Sequence, residues 1–307
     1  MAKARAIVKR RKAVDNIRKI TRTMELIATN RFKKALNRAT EAEAFTRKIA
    51  EMVADLGETS QEVAHPLMAR RDPVRRALLL VLTSNRGLAG GYNGNVLRAA
   101  IARYQDNQTE GTETSLEVAG KRGIGYFRFR KIVPDATYTQ FEDRPQYHEV
   151  ETLADKYIKL FVQGAIDRLD VVSTRFVTTS RQVAISQTLL PIATADISRA
   201  APSVRQSNPA TREAPAAGKA EPVSYEFLPD ARSILEEIVP VSFKVRLFKC
   251  FLDAAVSEQI ARMVAMGGAT KNANDLVKSL TRQYNRARQN QITRELADIV
   301  GATSALK

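Results

Sequence analysis

The chain has 307 residues, 44% of them apolar and 27% charged, which suffices for one large or two small packed domains and excludes wholesale disorder. Lysine and arginine outnumber aspartate and glutamate 49 to 33, a formal charge of +16, so the expected partners are anionic: nucleic acid, an acidic membrane face or an acidic protein surface. A single cysteine, Cys250, excludes an intrachain disulfide and a multi-cysteine zinc site. The two histidines, His65 and His148, leave little for a metal cluster, and a reducing compartment fits.

From the N-terminus, the first glycine is Gly57 and the first proline Pro66. A helix over that unbroken stretch would extend roughly 84 Å, longer than a small domain, so it needs a partner along its length. A 3.5-residue seam through positions 14, 17, 21, 24, 28, 31, 35, 38, 42, 45, 49, 52 and 56 meets ten apolar residues in thirteen. The basic start carries no signal-peptide apolar stretch, and no apolar run exceeds Ala77 to Leu82, against the ~20 residues that a membrane span needs. The chain is therefore expected to be soluble and unsecreted.

The middle alternates short apolar runs with helical stretches. Ala77 to Thr83 predicts a buried strand, Asn95 to Asn107 a helix, Leu116 to Ala119 a strand, Glu149 to Leu169 a helix, and Asp170 to Thr178 a strand, the pattern of an α/β layer domain. After the first strand, Thr83 to Gly94 is a glycine-rich turn. Such a turn can cradle phosphate at a helix N-terminus, but its G-x-x-G-G-x-x-G spacing matches no nucleotide fingerprint, and tight-turn packing is the favoured reading. Residues 197–222 hold seven alanines, four prolines and no aromatic residue, the composition of a mobile surface loop.

Beyond Pro240 a second long helix is expected, interrupted only by Gly267-Gly268. The seam through 245, 248, 252, 255, 259, 262, 266, 269, 273, 276, 280, 283 and 287 again meets ten apolar residues in thirteen, many of them alanine. The polar interruptions Arg31 and Arg38 on one helix, and Gln259 and Arg262 on the other, suit an antiparallel pair in which Arg31 faces Gln259 and Ala28 faces Arg262. The competing reading has each helix packing separately on a globular core. Residues 1–34 hold twelve Lys/Arg against Asp15 and Glu25, and residues 276–294 hold five cations and no acid, so antiparallel pairing concentrates positive charge at one end. The fold class is thus α/β with a long helical coiled coil. The arms are residues 1–65 and 236–307 and the central, Rossmann-like α/β domain is residues 66–235. No histidine, cysteine, serine or carboxylate has a catalytic frame, and no cofactor or metal site is expected.

Three stretches resemble the gamma subunit of the rotary F-type ATP synthase. They are Lys19 to Met24 with Arg31 to Ala35, Ser84 to Asn93, and Ser257 to Met266 continuing through Ala269 to Ala273 and Tyr284 to Leu296. The similarity covers nearly the whole chain except residues 197–222. The family often has Asp and Cys where this chain has Asn85 and Ala89, and the 197–222 loop replaces a shorter connection and lacks the cysteines of a plant-type thiol switch.

The resemblance implies a non-catalytic central-stalk rotor. Its paired helices would stand inside a hexamer of alpha and beta subunits, and its α/β domain would rest beside an epsilon subunit on a membrane ring of c subunits. It would couple proton-driven rotation to ATP synthesis and hydrolysis, with membrane association indirect, peripheral on the cytoplasmic face of the bacterial plasma membrane. By the same resemblance Arg288, Gln289, Thr293 and Glu295 correspond to the contact zone with the beta subunit and Met24 to the neighbouring seam. Tyr225 and Glu226 correspond to the foot on the rotor ring. The rival class is a basic helical nucleic-acid-binding protein, disfavoured by the 6% aromatic content and the lack of an aromatic residue before Phe32. A dinucleotide enzyme would need a phosphate turn of another spacing.

Overall fold

The structure is a computed structural model that describes residues 2–59, 65–141, 144–192 and 231–305. The loop at 197–222 and the expected foot residues Tyr225 and Glu226 lie outside them. Two helices dominate, α1 (Ala2–Thr59) and α5 (Ala231–Ala305). The chain forms two compact units: residues 1–31, 88–90 and 259–307, and residues 32–87 with 91–258.

In the first unit α1 and α5 run antiparallel. Val14 packs with Ala273 and Leu280, joined by Ile7 and Val277. The hydroxyl of Thr270 donates to that of Thr21 at 3.0 Å, Arg18 donates to Asn274 at 3.4 Å, and the Arg11 guanidinium lies over the Tyr284 ring at 5.6 Å. At Thr21 and Arg18 this is the expected register displaced by one or two residues, and at Arg11, whose long side chain reaches along the pair, by five. The phase of the seam differs from the expectation, however. On α1 it steps through Val14, Arg18, Thr21, Glu25 and Ala28, and on α5 through Met266, Thr270, Ala273, Val277, Leu280 and Tyr284, while Ile17, Met24 and Leu276 lie outside it, 53%, 38% and 41% exposed.

The physical reason is that small or polar partners let long polar side chains occupy alternate seam positions. Arg18 reaches Asn274, and the Glu25 carboxylate lies where a Cβ on Gly267 would meet it at 3.5 Å. Ion pairs from Asp15 to Arg18 (2.7 Å) and from Glu25 to Arg22 (3.1 Å) hold these side chains along the helix. A Thr21→Cys/Thr270→Cys variant is expected to form an intrachain disulfide nearly quantitatively on mild oxidation. Gel mobility under non-reducing conditions reads it, and a cross-link only between separate chains would contradict the register.

The second unit is a five-stranded sheet of order β3-β2-β1-β4-β5, with β1 Arg76–Leu82, β2 Glu113–Ala119, β3 Ala136–Tyr138, β4 Arg168–Thr178 and β5 Arg181–Leu190. The first four strands in that order are parallel neighbours and β5 is antiparallel to β4. Strand β1, ALLLVL after Arg76, is buried on both faces, as a central parallel strand must be. Leu78, Leu80 and Leu82 share a core with α4 (Tyr147–Val162), through Tyr157 and Phe161, and with α5, through Phe243, Leu247 and Phe251. Helices α2 (Tyr92–Thr109) and α3 (Lys121–Phe129) complete the layers, α2 against β1, β4 and β5 and α3 against β2.

Three expectations are corrected here. The helix expected to run to Leu169 ends at Val162, because Gly164 turns left-handed (φ +74°) and its N–H closes on the Phe161 carbonyl at 3.1 Å. Helix α5 does not wait for Pro240 but passes through it. The lost hydrogen bond costs about 3 kcal/mol, offset by full burial of Val239 and Phe243 on either side. Helix α3 and strands β3 and β5 were absent from the expected elements. Gly123 hides α3, since it reads as a breaker but is required by closeness: a Cβ there would meet the Thr83 hydroxyl at 2.6 Å.

Candidate functional site: the paired-helix surface

In the glycine-rich turn after β1 the side chains of Ser84, Asn85 and Asn93 are all hydrogen-bonded within the protein. Asn93 accepts from the Ser84 amide (3.0 Å) and donates to the Ser84 hydroxyl (2.8 Å), and that hydroxyl donates to the Arg86 carbonyl (2.6 Å). Asn85 donates to the carbonyls of Thr139 and Phe141 and accepts from the Lys121 amide. At Gly120, φ +100°, a Cβ would lie 2.1 Å from the Thr83 carbonyl oxygen. This is the tight-turn packing that the glycine spacing suggested.

The buried ionisable groups of the second unit are likewise structural. Glu117 accepts from Lys156, from the Tyr138 hydroxyl (2.8 Å) and from the Tyr157 hydroxyl (2.6 Å). Burial, reinforced by the Glu117 charge, pushes the Tyr157 pKa well up. Asp167 accepts from the amides of Arg75 (3.0 Å) and Arg76 (2.9 Å) and from Arg71 (3.3 Å). Burial alone would raise its pKa, but these donors outweigh it and hold the carboxyl below its usual range. Burial pushes the Cys250 thiol up to about 12, so it is not a nucleophile near neutrality. Among the described residues no group of three His, Cys, Asp or Glu side chains could hold a metal ion.

His65 is a buried cap whose Nδ1 accepts the Leu67 amide at 3.1 Å; burial lowers its pKa from 6.5, with Glu236 opposing. A base whose folded pKa is depressed stabilises the fold fully above the unfolded pKa, and that contribution is lost as pH falls through the folded value. The unfolding temperature is therefore expected to drop more steeply below pH 6.5 in the parent chain than in a His65→Asn variant. Parallel curves in thermal melts would remove His65 as the cause.

The surface of the helical pair, by contrast, leaves many charged and apolar side chains exposed. Because Arg11 meets Tyr284, the exposed cations Arg5, Lys9, Arg10 and Lys12 share one end with Arg282, Arg286, Arg288 and Arg294. This is the concentrated positive end that antiparallel pairing required. Arg288, Gln289, Thr293 and Glu295 are all exposed on α5. The Thr293 hydroxyl donates to the Gln289 carbonyl at 3.0 Å, and the Gln291 amide donates to Glu295 at 2.9 Å. The helical repeat sets Gln289 and Thr293 on one strip and Arg288 and Glu295 on another, about a third of the way round the helix.

Met24 is not among them. Thr21 meets Thr270, so Met24 lies along the pair from Arg288 by about twenty residues, roughly 30 Å of helix. It belongs to a second apolar strip that the seam count absorbed, Ile17, Ile20, Met24 and Ile27, exposed by 53%, 58%, 38% and 48%. A similar strip on α5 comprises Ile292, Leu296 and Ile299. Apolar strips at helical spacing, rimmed by cations, mark faces that receive a partner. Their signal in the sequence is a second apolar row beside the seam row.

No described helix is long and apolar enough to cross a membrane. Comparison with known proteins bears directly on such a pair. The family profile of the ATP synthase matches residues 3–306. The ATP synthase gamma chain of Rhodopirellula baltica is 49% identical over the full length of both chains. That of Frankia casuarinae is 37% identical over 97% of this chain and 96% of its own. The fold is similar to a rotor chain in the Euglena gracilis mitochondrial ATP synthase, with a TM-score of 0.60 at 15% identity over 95% of this chain and 99% of that one. Matched over residues 3–306 by that profile and along its full length by a gamma chain 49% identical to it, this chain belongs to the ATP synthase gamma-chain family.

Proposed function

We propose that this chain is the central-stalk rotor subunit of a proton-translocating ATP synthase. It couples rotation of a membrane ring of c subunits to the conformational cycle of catalytic beta subunits, and performs no catalysis alone. The observation that carries this reading is the antiparallel pairing of Val14, Arg18 and Thr21 with Leu280, Asn274 and Thr270, in a chain that its gamma-chain relatives match along its whole length. A coupling shaft must resist bending, and an interlocked Ala-rich pair does so. It must also not adhere to one orientation. Exposed cations attract acidic surfaces over a Debye length of about 8–10 Å without desolvated pairing, and exposed pairs hold weakly.

In this reading residues 1–65 and 236–307 are the arms and 66–235 the central domain. Arg288, Gln289, Thr293 and Glu295 face the beta subunit, and Met24 touches it from the separate apolar strip on α1. Tyr225 and Glu226 form the foot on the rotor ring, beside an epsilon subunit, and the 197–222 segment is a tether. The protein is peripheral, on the cytoplasmic face of the bacterial plasma membrane. Affinity purification of the tagged chain from its own membranes is expected to recover alpha and beta chains in equal, stoichiometric amounts. Recovery with nucleic acid, lost steeply with salt and without alpha and beta chains, would replace this reading with the nucleic-acid-binding one.

A further inference from the structure

Helix α3 and the turn that follows it present a surface that the stalk reading leaves unused. From Lys121 to Val133 the chain carries five cations and no carboxylate. Phe127 is fully buried and anchors the helix, while Phe129 and Val133 are 84% and 86% exposed, the most exposed large apolar side chains described. The turn is rigidly built. Arg130, Lys131 and Ile132 donate their amides to the carbonyls of Tyr126, Arg128 and Phe127 at 3.0 Å, and Lys131 closes the helix in the left-handed region at φ 58°.

Among the described residues Arg128, Arg130 and Lys131 pair with no carboxylate. The nearest acid beyond them in the chain, Asp135, is engaged by the Leu116 amide at 2.7 Å. The Arg130 guanidinium lies over the Tyr126 ring at 5.7 Å. The corner therefore offers two protruding apolar tips set among three unneutralised cations, held in place before any partner arrives.

We propose that the corner formed by Arg128, Phe129, Arg130, Lys131 and Val133 docks on an anionic phospholipid surface. Charge complementarity selects an anionic occupant. The form of the patch selects lipid over protein, because tips this exposed insert directly into a soft headgroup boundary, whereas a protein would need a recess shaped to receive both. The ring and the branched side chain enter the acyl boundary while the guanidinium and ammonium groups remain at phosphate level. A fluid surface also holds such a corner without fixing its direction in the membrane plane.

The test uses the full chain carrying Val133→Cys labelled with an environment-sensitive fluorophore, the native Cys250 being buried. A Gln105→Cys label on the exposed face of α2 is the control. Vesicles of phosphatidylcholine with one-third phosphatidylglycerol are expected to shift the probe at 133 to the blue, with no shift at 105 and none on pure phosphatidylcholine. Adding Arg128→Gln and Arg130→Gln, both on the surface, is expected to weaken that response about 30-fold in lipid concentration. The proposal is overturned if the probe at 133 stays unchanged while the chain co-sediments with the vesicles through its other cations. It is overturned equally by the same shift on neutral vesicles, or by a shift with polyglutamate and none with lipid. None of these outcomes affects recovery with alpha and beta chains, so the stalk reading stands or falls separately.

Discussion

Asp170→Ala is expected to destabilise the second unit by about 3–5 kcal/mol, the range for stripping one partner from a buried ion pair. Asp170 is wholly buried on β4 and accepts from Arg103 (3.0 Å), Arg168 (3.0 Å) and the Thr188 hydroxyl (2.6 Å). Arg168 continues to the Asn107 side-chain oxygen at 2.6 Å. One carboxylate thus ties α2, β4 and β5 together and pairs with two guanidiniums, Arg168 also meeting Glu110 at 3.5 Å. Without it both cations lose their main counter-charge in a largely dry site, and the Thr188 hydroxyl loses its acceptor. Urea unfolding of the full chain measures the loss. An Arg103→Met/Asp170→Ala double variant should fall short of the summed single effects. A change of less than about 1 kcal/mol in the single variant would show that water replaces the carboxylate without penalty.

Met24→Lys is expected to reduce ATP-driven proton pumping by roughly five-fold or more while assembly and hydrolysis persist, the five-fold corresponding to about 1 kcal/mol of orientation-specific attraction. Met24 is 38% exposed on the strip with Ile17, Ile20 and Ile27, so the substitution removes nothing from the seam or from either core. Under the proposed function that strip passes over successive beta subunits. An apolar, flexible thioether slides over their surfaces with little preference, whereas an ammonium can pair with an acidic loop in one orientation and hold the shaft there. Met24→Leu should pump normally. Normal pumping in Met24→Lys would remove Met24 from the contact surface, and failure to assemble would place it in packing instead.

The presence of the two long helices was legible because it depends on local rules, although the start of α5 ahead of Pro240 was not. No glycine precedes Gly57, no proline precedes Pro66, and both stretches repeat apolar residues at coiled-coil spacing. Strand β1 was also plain, since a short continuous apolar run such as ALLLVL, too short for a typical helix, suits a strand buried on both faces. The antiparallel register was readable to within a helical turn because polar residues interrupt both seams. The phase was not, because maximising apolar count selects Ile17 and Met24 over Arg18 and Glu25. A polar residue belongs in a seam only when the opposite helix offers it Asn274 or the space over Gly267, and that is knowledge of the partner.

The same division holds for the chemistry. The positions of the cations along the chain already pointed to a positive end once the helices pair antiparallel, because the count of charges in each stretch does not depend on folding. Which groups remain available at a surface does depend on it. The glycine-rich turn spends its Ser84 and Asn93 side chains on itself and its Asn85 side chain on the segment after β3 and the start of α3, a matter of which elements lie alongside. Gly123 and Gly120 read as breakers, yet they are close contacts of α3 and its entry with Thr83. The outward rows of the helical pair, and the exposed corner at Phe129 and Val133, were decided by tertiary structure alone. Side chains of equal hydrophobicity are sorted into core and surface only by what packs against them.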